Sequence, residues 1–297
     1  MKKKLGIVLA VVATAVISIV SLVGCTNTTT FKLEESQIKA LTEVNLGKAD
    51  VAFIDSTMAN YMLSTRDNFK GLKMITLEDF DTQPEEYGIA GRKAGEKQGS
   101  EKLIKFINAR LYELKDTGYA EVIEKWGLQS RKIDIQNPGY TSADCDGWKD
   151  ELMDSSKLVI GYTLNPPMGD NDATGFDFDL AKKIFEGTGV TIEGKIIVWK
   201  NQTVDLNKGD IDLVWNGMTI NDSRKANMNV SSAYLTNEQA IVVQEKKADK
   251  YKTVSDLKNS KVVAESNSAG QDAFLDILKN IDKEAYDEFI KKNPTLG

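Results

Sequence analysis

Short apolar runs alternate with amphipathic stretches along most of this 297-residue chain. From Leu158 onward, "KLVIGYTL" reads as a strand and "FDLAKKIFEGTG" as a helix closed at Gly187 or Gly189. "KIIVW" is the next strand, followed by a short helix and the strand "DIDLVWNGM". "QAIVVQ" and "KVVAE" are two further strands, and a helix opens near Ala269. The upstream part uses the same grammar: "EESQIKALTEVNLG" is a helix closed by Gly47, "DVAFI" a strand running into Asp55, and "YGIAG" another strand. Over 101–115, Leu103, Ile104, Ile107, Leu111 and Leu114 share one helical face, the stripe expected of a core contact. Such βαβαβ order predicts an α/β fold with a parallel, doubly wound sheet. The stretch "KIDIQNPGYTSADCDGWKD" from Lys132 to Asp150 is polar, with Pro and Gly, and reads as an exposed, protease-sensitive linker.

One apolar run breaks the alternation. Three lysines precede an uncharged stretch over 5–23, the layout of an export signal. An uncleaved membrane-spanning helix is the alternative, since about 20 apolar residues suffice to cross a bilayer. Leu22-Val23-Gly24-Cys25 resembles a bacterial lipobox, which implies a signal peptide over 1–25, a lipidated Cys25 and a polar tether over 26–30.

Composition narrows the chemistry. The content is 41% hydrophobic and 28% charged, as in ordinary globular proteins. The net charge is −6, and without the three leader lysines 35 basic residues face 44 acidic ones, about −9. This argues against nucleic acid, which needs a basic face. The chain has no histidine and two cysteines, so neither the commonest acid–base group nor a Cys/His metal cluster is available. There is no G-x-S-x-G, P-loop or G-x-G-x-x-G. A non-enzyme without metal or cofactor is the expectation. Cys145 would be an unpaired cysteine.

Six motifs carry a resemblance: "GFDFDLAKKI", "VWNGMTINDSR", "VVAESNSAG", "LGKADVAFIDS", "EEYGIAGRK" and "INARLYELKDTGYAEVIEKWG". Together they resemble the amino-acid-binding solute-binding proteins of bacterial ABC importers, and they cover nearly everything outside leader and linker. The resemblance implies a two-lobed periplasmic-binding-protein-like fold (type II), each lobe a mixed sheet flanked by helices, joined by two hinge strands. The last three motifs come first here, so the order reads as a circular permutation, joined through 132–149 and newly open near Phe31 and Gly297. Lobe two would then comprise 31–85 and 239–297, and lobe one 89–234, with crossings near Glu86–Tyr87 and Tyr234–Glu238.

The same resemblance implies site residues. Arg224 would hold a substrate carboxylate with its planar fork, a task lysine cannot reproduce. Thr219 would offer a hydroxyl, and Gly217 close backbone approach. Asp55 would accept the substrate ammonium, with an N-cap for the following helix as the alternative role. Ser268, Ala269 and Gly270 would present a helix N-terminus to the carboxylate, alanine standing where many members have threonine. Trp199 would stack on the ligand or pack in the core. Tyr162 and Asn165 stand where relatives have an acidic and an aromatic residue, which argues against a lysine or arginine ligand. Trp215 and Trp126 read as core.

The functional expectation is a monomeric, lipid-anchored receptor at the extracytoplasmic membrane face. It would close around a free amino acid and dock on importer permease subunits. The rival readings are a sensor module of the same fold, an enzyme or lytic-enzyme accessory domain of that fold, and a non-functional or engineered permuted product.

Overall fold

A computed structural model describes residues 28–95 and 97–294. The leader, Cys25 and Gly297 lie outside the described residues. In chain order the first stretch holds β1 (Thr30–Glu34), α1 (Gln37–Asn45), β2 (Val51–Asp55), α2 (Ser56–Thr65), β3 (Leu72–Ile75) and β4 (Glu85–Arg92). Then come α3 (Glu101–Glu113), α4 (Gly118–Lys125), β5 (Lys157–Tyr162), α5 (Phe176–Ile184), β6 (Thr191–Ile196), α6 (Gln202–Lys208) and β7 (Leu213–Thr219). The last stretch is α7 (Asp222–Asn227), β8 (Met228–Val230), β9 (Leu235–Asn237), β10 (Gln239–Gln244), β11 (Lys261–Glu265), α8 (Ala269–Ile281) and α9 (Lys283–Lys292). The strand expected at "KIIVW" lies earlier, over β6, and Trp199 instead opens a short 3-10 turn.

Two sheets organise these elements, so the predicted α/β class stands. One has the order β1-β11-β2-β10-β3 and draws on both ends of the described chain. In it β11 pairs in parallel with β1 and with β2, although more than two hundred positions separate Val262 from Val51. Ala40, Leu41 and Val44 of α1 with Met58 and Met62 of α2 pack on one face. Phe274, Ile277 and Leu278 of α8 pack on the other. The first described strand is seated against the last described helices: Phe31 packs edge-on against Phe274 and tilted against Phe289, with ring centroids 4.8 and 4.9 Å apart.

The second sheet runs β6-β5-β7-β4-β8, with β9 pairing β4. Helices α3, α4 and α5 cover one face with a core that includes Leu103, Ile107, Val122 and Leu180. Leu206 of α6 closes the other face with Val214, Met218 and Met228. Trp215 is fully buried, as read from the sequence, while Trp126 is half-buried and donates its indole N–H to Asp179 Oδ2 at 2.9 Å. The chain crosses between sheets on two adjacent antiparallel strands, with Glu85 of β4 opposite Asn237 of β9.

The segment 132–149 differs from the exposed linker expected of it. Its polar residues face water, but Ile135, Cys145 and Trp148 are buried. Trp148 stacks on Phe106 of α3 at 4.4 Å and abuts Phe185 at 5.5 Å. Nearby, the carboxylate of Glu151 accepts the free backbone N–H groups of Lys102 and Leu103 at the start of α3. A few apolar anchors in a polar stretch are enough to strap it down, because each removes a large area from water. Trp148→Ala should destabilise the protein by about 3–5 kcal/mol, the range for emptying a large aromatic site. A denaturant midpoint unchanged by this substitution would show that the strap is not anchored there.

Candidate functional site

The C-terminal ends of β2, β11 and β7 meet the N-terminus of α8 and the short helix α7 at a cleft between the two sheets. Gln37, Asp55, Asn165, Trp199, Asn216, Gly217, Thr219, Arg224, Glu265, Ser268 and Ala269 line a narrow space of about 10 Å³. Eight of the ten residues expected at a ligand site therefore stand together. Gly270 and Tyr162 stand behind them. Tyr162 is buried edge-on to Phe178 at 4.9 Å, and its hydroxyl accepts from the Ala173 N–H at 3.3 Å. A Cβ at Gly270 would meet the Phe53 carbonyl oxygen at 2.6 Å, so this glycine lets α8 press against β2.

Arg224 is held on α7, whose N-cap Asn221 accepts the Arg224 backbone N–H at 2.8 Å. Its guanidinium donates to the carbonyl of Thr219 and, at 3.1 Å, to the carbonyl of Asn267 just before α8. One side chain thereby ties β7 of one sheet to the α8 end of the other. The guanidinium lies 5.7 Å from the Trp199 ring centroid. Trp199 is buried in the α6 core as well, so both roles weighed for it coexist. Burial lowers the guanidinium below its ordinary value, and Asp272, Asp55, Glu85 and Glu265 oppose this. Two of its five N–H donors are occupied, so a fork remains for an anion.

Asp55 occupies the N-cap position of α2, yet its side chain makes no cap bond. Asn237 from the crossing strand does that work: its Oδ1 accepts the Thr57 N–H at 3.3 Å and the Thr57 hydroxyl at 3.0 Å. Asp55 is left to accept from Gln37 Nε2 at 2.7 Å, Gln239 Nε2 at 2.8 Å and Asn237 Nδ2 at 3.2 Å. All three are neutral amides, so the buried carboxylate has polar partners but no bonded counter-charge. Ser268 is committed locally, capping Gln271 N–H at 3.2 Å and donating to the Glu265 carbonyl at 2.8 Å.

Gly217 is positioned from behind. Its φ of 62° is a conformation that favours glycine, and a Cβ would meet Met168 and Tyr87 at 3.1 Å. Its N–H donates to Asp177 Oδ2 at 2.8 Å, and Tyr234 donates its hydroxyl to Asp177 Oδ1 at 2.8 Å. Asp177, from the motif "GFDFDLA", thus fixes the "NGMT" end of β7, a coupling between two motifs that neither shows alone. Burial pushes the Asp177 carboxyl from 3.8 up to about 7, with the Tyr234 and Gly217 bonds opposing. The folded state therefore binds a proton here that the unfolded chain releases near pH 4. The stability tied to this group is full below about pH 4 and is lost as pH rises through about 7. Asp177→Asn should flatten that part of the profile in pH-dependent melts, whereas parallel profiles for variant and parent would remove Asp177 as the source.

Sequence reading missed four polar residues of this region: Gln37, Glu265, Asn216 and, beneath the cleft, Glu85. Glu85 Oε2 accepts from the Thr219 hydroxyl at 3.1 Å, Gln239 at 2.9 Å and Asn237 at 3.2 Å. Burial and then Asp55 raise its carboxyl. Glu265 ends a strand as Asp55 does, and that shared strand-end carboxylate was the available signal.

The profile of bacterial extracellular solute-binding proteins, family 3, matches residues 158–293. The ABC transporter glutamine-binding protein GlnH of Bacillus subtilis is 33% identical over 129 residues, 39% of this chain and 46% of that protein. The L-cystine-binding protein TcyJ of Escherichia coli is 25% identical over 148 residues, 48% of this chain and 56% of that protein. The chain thus spans about half the length of these curated relatives. Among solved structures, arginine-bound truncated ArgBP from T. maritima has a TM-score of 0.32 at 12% identity, covering 75% of this chain and 70% of that one, which adds nothing to the assignment. Over residues 158–293, somewhat under half of its length, the chain is thus similar to the bacterial extracellular solute-binding proteins of family 3.

Proposed function

We propose that this protein is a receptor, not an enzyme, that closes around one free amino acid and delivers it to an ABC importer. The observation that carries the reading is the cleft itself. Arg224 with Thr219 and Gly217 from one sheet faces Asp55 and the α8 N-terminus from the other. A fork for a carboxylate opposite an acceptor for an ammonium is the charge pattern of a zwitterion. The relatives named for glutamine and cystine agree with this class. In this reading the sheet of 31–85 and 239–297 is lobe two and that of 89–234 is lobe one. The paired crossings β4 and β9 act as the hinge, and ligand contacts to both lobes favour the closed form.

Lipid attachment at Cys25 would hold the receptor, as a monomer, at the extracytoplasmic face beside its permease. The order of segments is proposed to be a circular permutation of the family arrangement, supported by the packing of Phe31 on Phe289 of the last helix. A chain opened at Gly139 with residue 294 joined to residue 28 should then fold and bind as the parent does, and failure to fold would sink the permutation. Labelling with a fatty acid in a bacterial host tests the anchor, expected in the parent and lost in Cys25→Ala. The function is tested by thermal shift against the twenty amino acids. At least one should raise the melting temperature, and a screen without any shift would overturn the receptor reading.

A further inference from the structure

We infer that the amino acid bound here carries a cationic nitrogen on its side chain, with Glu265 as its counter-charge, an inference that rests on the amino-acid reading above. Glu265 is 2% exposed, lines the cleft, and its Oε1 has no hydrogen-bond partner. Two further acceptors lining the same space are also unpartnered: Asn165 Oδ1 and Asn216 Oδ1. The orientation of Asn165 follows from chemistry, because its other terminus donates to the Asn216 carbonyl at 3.3 Å and must be nitrogen. Buried acceptors left without donors are unfavourable, and three of them around one space call for a ligand rich in N–H groups.

Charge separates a cation from an amide. Arg224 is the one cation among the described residues lining the cleft, against Asp55 and Glu265, with Glu85 just beneath. A zwitterion's carboxylate and ammonium engage Arg224 and Asp55 and leave Glu265 uncompensated. A neutral amide side chain would supply donors but no charge. A side-chain ammonium or guanidinium supplies both. Burial and the neighbouring Asp55 already raise the Glu265 carboxyl well above its ordinary range, with Arg224 opposing, as expected of an acid whose counter-charge is absent. The acidic group missing at position 162 is therefore supplied from the opposite sheet, and Trp199 remains as the single aromatic wall.

The test is calorimetric titration of the full protein, parent and Glu265→Gln, with lysine, arginine, ornithine, glutamine and leucine. In the parent, one of the three cationic amino acids should bind roughly tenfold or more tighter than glutamine, the difference between a charge-assisted and a neutral hydrogen bond. Glu265→Gln, which keeps shape and polarity, should erase or invert that preference. If glutamine or leucine binds the parent as tightly as every cationic ligand, the inference falls and the amino-acid receptor stands. An unchanged preference in Glu265→Gln also overturns it. If none of the five binds, while the parent melts cooperatively, the inference falls with the receptor reading for these side-chain classes, and the twenty-residue screen decides the latter.

Discussion

Arg224→Ala should abolish thermal stabilisation by every amino acid while leaving a folded, cooperatively melting protein. The guanidinium is asked to do two things at once. In the proposed site it would offer a ligand carboxylate a planar fork, and it already joins the Thr219 and Asn267 carbonyls across the cleft. Losing a charge-assisted contact to a desolvated carboxylate costs roughly 2–5 kcal/mol. Removing the bridge also takes a closing contact from the liganded form. Arg224→Lys should be nearly as damaging, because one ammonium cannot span two carbonyls and still present a bidentate face. The guanidinium meets the core only at Trp199, on the edge of the α6 cluster, so the melt of the free variant should shift less than its affinity. Isothermal titration beside differential scanning calorimetry makes the comparison, and an Arg224→Ala protein that binds within a few-fold of the parent would refute the site.

Asp55→Asn is expected to be the second most severe loss, and it is selective. The carboxylate accepts from three amides, Gln37, Gln239 and Asn237, in a buried place. An asparagine there can accept through one oxygen only, and its own NH2 confronts donors. It also deletes the charge that would meet the ligand ammonium, a loss of about 2–5 kcal/mol for a buried partner. Affinity for amino acids should therefore collapse, while a des-amino analogue that uses Arg224 alone loses much less. Comparing the two ligands separates recognition from architecture: equal weakening of both would make Asp55 a scaffold for the crossing strands. Helix capping is not at issue, since Asn237 holds the first turn of α2.

Much of this molecule was legible along the chain. Short apolar runs such as "QAIVVQ" and "KVVAE" gave strands, the Leu103–Leu111 stripe gave a buried helix face, and Gly47 closed α1 with its φ of 71°. These signals are local: each depends on side chains within one element facing one environment. Eight of the ten expected site residues also gathered, because short motifs at strand ends place their side chains where strands open onto a cleft. What local pattern could not carry was the choice of partner. Nothing in "TSADCDGW" announces that Trp148 stacks on Phe106, so a polar stretch read as an exposed linker is a strap. Whether Asp55 caps a helix depended on Asn237, 182 positions away, taking that role first. Glu265 looked like the end of an ordinary strand, and only the meeting of two sheets left its Oε1 buried without a donor beside Asn165 and Asn216. Sequence determined which elements form and which residues could bind. The tertiary structure decided which polar groups are satisfied by protein and which are left over, because hydrogen-bond satisfaction in a buried cleft belongs to groups brought together from distant segments.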